Sequence, residues 1–100
     1  MRTLSSLATE YVAYSVTATN YSGTPITIGS DVVKLAFVAT GQEPVTGDWR
    51  TAVWLSAGVA GLLVGPDGGV QLADGMWDVW MQILDSPEHP TRKIDILRIT

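Results

Sequence analysis

Hydrophobic residues along this chain come in short runs, and the runs alternate with polar positions rather than recurring every three or four residues. Glycine, proline, asparagine and aspartate separate them: NYSGTP at 20–25, GS at 29–30, TGQEPVTGD at 40–48, GPDGG at 65–69, ADG at 73–75 and DSPEHP at 85–90. Period-two runs rich in Val, Ile, Thr, Trp and Tyr between turn signals predict an all-β sandwich or barrel. No apolar period of 3.6 persists long enough to predict a helix.

Six strands are expected. The first is Tyr11–Thr19, with Val12, Tyr14, Val16 and Ala18 on its apolar face. The second is Val32–Ala39, where Val33, Leu35 and Phe37 share a face and Lys34 takes the other. The third and fourth are Thr51–Leu55 and Val59–Val64, and Gly61 in the latter marks a bulge or a close approach of backbone. The fifth is Met76–Leu84. The sixth is Lys93–Ile99, whose apolar phase slips from Ile94 and Ile96 to Leu97 and Ile99, as a bulge would cause. A further short strand is expected at Thr24–Ile28 or near Leu4 and Leu7, and residues 1–10 otherwise read as an extended arm. GPDGG reads as a tight hairpin turn between the fourth and fifth strands, because no lysine, serine or helix follows to make a phosphate-binding loop.

The stretch LADGMWDVWMQIL at 72–84 holds the most information. Trp77, Val79, Met81 and Ile83 alternate onto the core face, leaving Met76, Asp78, Trp80 and Gln82 on the other. Leu72, Asp74-Gly75 and Trp77 follow the pattern of a sandwich corner in which the aromatic is usually tyrosine; here an indole N–H stands where the hydroxyl would bond to backbone. Trp80 lies among polar neighbours, so it is covered either by a loop or the N-terminal segment, or by a partner protein. Trp49 and Trp54, in GDWRTAVWL, pose the same choice, one expected in the core and the other at the rim.

Composition narrows the picture. At 100 residues the chain is one domain, 1–100, with an ordinary apolar fraction of 46% and no cysteine for a disulfide or thiolate metal site. MRTLSSLATEY lacks the apolar core of a signal peptide, and no run is long enough to cross a bilayer, so no membrane partner is expected. Net charge is −4, and between Arg50 and Arg92 the only charged residues are Asp67, Asp74, Asp78, Asp85 and Glu88. Nucleic acid is therefore a poor partner. These acids read as a solvated rim or as a patch for a basic partner, and Arg92 and Lys93 follow them at once.

Catalytic chemistry is not legible. His89, the only histidine, lies between prolines with Glu88 as its nearest acid, and no nucleophile or orienting group declares itself. No zinc set and no calcium-loop spacing occurs, so no catalytic residue, cofactor or metal is expected. The candidate functional residues are those of an interface: Trp80, Trp49, Arg92 and Lys93.

Phe37-Val38 before a turn, Asp48-Trp49, Val64-Gly65-Pro66, Asp74-Gly75, Trp77 through Trp80 and Pro87-Glu88 together resemble a family of small proteins encoded among the virion structural genes of tailed bacteriophages of actinobacteria. The resemblance covers about residues 31–99. It implies an immunoglobulin-like β-sandwich of about seven antiparallel strands that coats or joins parts of a virion assembled in the host cytoplasm. Capsid decoration is favoured over the head–tail junction or tail, with the major capsid protein, other virion proteins or copies of itself as partners. The alternative expectation is a carbohydrate- or cell-surface-binding module in which an exposed tryptophan stacks on a sugar.

Overall fold

A computed structural model describes residues 1–16, 18–19, 25–26, 32–56, 58–84 and 91–100. The strands are β1 (Arg2–Leu4), β2 (Glu10–Ser15), β3 (Ala18–Thr19), β4 (Pro25–Ile26), β5 (Val32–Ala39), β6 (Trp49–Thr51), β7 (Val53–Ser56), β8 (Val59–Val64), β9 (Gly75–Leu84) and β10 (Thr91–Ile99). Among the described residues there is no α-helix, only one 3₁₀ turn at Thr46–Asp48. A large sheet has the order β1-β10-β9-β5-β6, a small sheet β2-β8-β7, and β3 and β4 form a ribbon.

The sheets bury their facing surfaces against each other. Leu4, Phe37, Val79, Leu97 and Ile99 of the large sheet meet Val12 and Val64 of the small one, and further along Val33, Leu35, Met81 and Ile83 meet Val16 and Ala60. Leu35, Val79, Leu97 and Val12 are wholly buried, each contributing about 1.5–3 kcal/mol of apolar transfer energy. The alternation expected in the second and fifth strands holds, and the fourth has the expected bounds. Trp77 is half-buried and packs on the edge of this core.

Five expectations require correction. The strand expected at Tyr11–Thr19 is divided: β2 pairs with β8 in the small sheet and β3 with β4 in the ribbon. The strand expected at Thr51–Leu55 is divided: β6 pairs with β5 in the large sheet and β7 with β8 in the small one. Buried Ala52 makes the corner, its N–H donating to Val33 O at 2.8 Å, and a local apolar pattern carries no sign of such a change of partner. GPDGG is not a hairpin turn, since β8 and β9 lie in different sheets. The segment instead loops back, with Val70 N–H donating to Leu63 O at 2.8 Å and Gly65 N–H to Val70 O at 3.0 Å. The short strand expected near Leu4 is β1, but it runs parallel to β10, so the sheet is not antiparallel throughout. Finally, Asp78 is no part of a solvated rim: it is 3% exposed.

The expected bulge in β10 exists, but earlier, between Lys93 and Asp95. Ile94 is the extra residue and packs into the core. Beyond it Asp95, Leu97 and Ile99 face inward, while Lys93 before it and Ile96 and Arg98 after it face out, opposite Trp80, Asp78 and Met76.

Candidate interaction face

The outer face of the large sheet gathers three of the four residues picked from sequence. Strand registers place Trp49 opposite Ala36, Ala36 opposite Trp80, and Trp80 opposite Lys93, one row across β6, β5, β9 and β10. Residues on alternate strands of such a row stand about 10 Å apart, so both indoles and the ammonium belong to one patch. Arg92 does not join it. Paired with Met81, it lies on the opposite side of β10 and is exposed at the margin. Trp49 is half-buried on this face and Trp54 packs against the core, the expected division between rim and interior.

Segment 41–48 folds over part of the face. Gly41, in the left-handed region at φ 89°, leads the chain back from β5, and its N–H donates to Asp78 Oδ2 at 3.1 Å. The Lys93 ammonium lies 3.9 Å from the same oxygen. The far end is closed by Asp48, whose Oδ2 accepts from Val45 N–H at 2.9 Å. Pro44, Val45 and Thr46 then form one wall of a groove of ≈ 530 Å³, opposite Lys34, Trp49 and Gln82. Val45 stands 67% exposed at the lip and Met76 is 41% exposed further along the face, so the surface presents apolar side chains among cations.

Among the described residues two buried polar atoms on this face have no hydrogen-bond partner: Asp78 Oδ1 and Trp80 Nε1, two residues apart on β9. Each unmade bond costs about 1–3 kcal/mol, so the face is less well satisfied than the core behind it. Trp80 is half-buried. Asp78, which sequence reading left in the rim, is the hub that ties segment 41–48 and β10 to β9. Its signal was faint: one acid between Trp77 and Val79 in an apolar strand. Lys34 and Gln82 were likewise read only as outer-face residues.

Comparison of the chain with known protein families, with curated proteins and with solved structures returns no match. Among the described residues no group of three or more His, Cys, Asp or Glu is placed to hold a metal ion, and no helix is long and apolar enough to cross a membrane. His89, Asp85 and Glu88 lie outside the described residues.

Proposed function

We propose that the chain is a structural, non-enzymatic subunit of a tailed-phage virion. In this reading an immunoglobulin-like sandwich is held by protein–protein contacts on the capsid surface, in preference to the head–tail junction or tail. Its partners are the major capsid protein, other virion proteins and copies of itself. The observation that carries the reading is the row Trp49–Ala36–Trp80–Lys93 on the outer face of the large sheet. Aromatic and cationic side chains around a half-covered patch are the composition of an interface core, and tryptophan is enriched among the residues that dominate binding. Repetition over a particle also lets a small contact suffice.

Co-sedimentation with purified particles tests it, together with a mass-spectrometric inventory giving copy number against the major capsid protein. The protein is expected in the particle fraction at a fixed ratio. The variant Trp49→Ala, at a half-buried position beside the groove, is expected to stay folded and leave that fraction. A protein absent from particles overturns the reading, and retention on a glycan column by such a free protein favours the carbohydrate-binding alternative, with Trp49 as the stacking surface.

A further inference from the structure

We infer that copies of this chain join head to tail, the turn Pro66–Gly69 of one seating Asp67 in the groove beside Lys34 of the next. This rests on the virion reading above and names one partner within it.

The groove carries one charge. Of its lining residues, Lys34, Pro44, Val45, Thr46, Trp49 and Gln82, only Lys34 is ionised, and it makes no ion pair among the described residues. The nearby Asp48 carboxylate is turned to Val45 N–H. A groove that holds an unpaired ammonium and an amide, walled by Pro44, Val45 and Trp49, selects a ligand with a carboxylate on a slender support.

The chain carries such a group. Pro66, Asp67 and Gly68 are exposed, Asp67 is the only charged residue of the turn, and it too has no ion-pair partner among the described residues. Glycines on its C-terminal side leave the carboxylate unshielded by neighbouring side chains. The turn is also fixed in place, because Asp67 N–H donates to Thr9 Oγ1 at 3.1 Å, which reduces the ordering cost of docking.

Position decides that the contact is between copies. The turn hangs from the small sheet, with Asp67 N–H bonded to Thr9 Oγ1 at 3.1 Å and Val70 N–H to Leu63 O at 2.8 Å, whereas the groove opens on the outer face of the large sheet. With the core between them, the turn cannot reach its own groove. A contact between two different patches is heterologous and propagates, closing into a ring or continuing as a filament.

The test is sedimentation of the purified chain at low and high salt. The small contact predicts weak association, on the order of 0.1–1 mM, that falls as salt screens the pair. Lys34→Glu and Asp67→Lys, both at surface positions, should each weaken it about tenfold or more without changing the melting temperature. Mixed together, the two variants meet through one native and one charge-reversed pair, and should recover association in alternating order. The double variant on one chain should associate again through the reversed pair. A wild-type chain that stays monomeric at millimolar concentration while co-sedimenting with particles overturns the self-contact and leaves the virion reading standing. Association that survives both single changes overturns it as well.

Discussion

Trp77 shows how one residue replaces another's chemistry. Its Nε1–H donates to Ala73 O at 2.9 Å, four residues upstream, the bond a corner tyrosine would make with its hydroxyl. Trp77→Phe keeps most of the packing and loses this bond, for an expected cost of about 1 kcal/mol. Trp77→Ala loses both and should cost about 2–4 kcal/mol, below the top of the range because the side chain is only half-buried. Urea midpoints check both, and a Trp77→Phe variant as stable as wild type would mean that the indole bond carries nothing. Asp95 gives a pH prediction. Burial would raise its carboxyl, but bonds from Ile96 N–H and the Tyr14 hydroxyl at 3.0 Å, with the terminal amine at 3.4 Å, outweigh it and hold the group below its ordinary 3.8. A folded-state value below the unfolded one contributes stability that is complete above the unfolded value and disappears as pH falls through the folded one. Stability curves of the wild type and Asp95→Asn should therefore run parallel above about pH 5 and converge in acid. Curves that stay parallel down to pH 2 would refute the coupling.

At the scale of elements, β2 and β8 meet so closely that only glycine fits at 61. A Cβ there would lie 2.5 Å from Val12 O and 2.9 Å from Ala13 Cα, and neither backbone atom can step aside cheaply. Gly61→Ala should cost about 2–4 kcal/mol, whereas Gly47→Ala, with nothing within 4 Å, should fall within about 0.5 kcal/mol of wild type. Thermal melts of the pair decide it, and a neutral Gly61→Ala would mean that the strands pack less tightly than described. The close approach was legible in sequence, as were the bounds of β5 and β8, because an isolated glycine and a period-two pattern are local signals. The division at Ala52 and the destination of GPDGG were not, because both depend on which sheet the chain joins next. The candidate face shows the same limit. Trp80 and Trp49 were visible as large aromatics in polar surroundings and Lys93 as a cation that follows an acidic interval, but only pairing through Ala36 sets them in one row. The groove was invisible, since its second wall is a loop.

For the whole molecule, the decisive contact joins the two ends of the chain. Leu4 pairs with Ile99, Thr100 N–H donates to Leu4 O at 2.9 Å, and Ser6 N–H to Thr100 O at 2.7 Å. Leu4 is 4% exposed and packs with Val12, Phe37, Leu97 and Ile99, so β1 covers part of the core rather than fringing it. Closing so long a loop before other contacts exist has a large entropic cost, which places β1 among the last strands to dock. A contact formed late lies on the native side of the transition state, so its loss shows in the unfolding rate. Leu4→Ala should destabilise by about 2–4 kcal/mol, with the folding arm of the chevron almost unmoved and unfolding faster by roughly the corresponding thirtyfold or more. Arg98→Ala, on the exposed outer face one residue from the same contact, should change neither arm. A folding arm that slows in step with the lost stability in Leu4→Ala would place the joined termini in the nucleus instead, and the sheet would then be built from its edge strand inward.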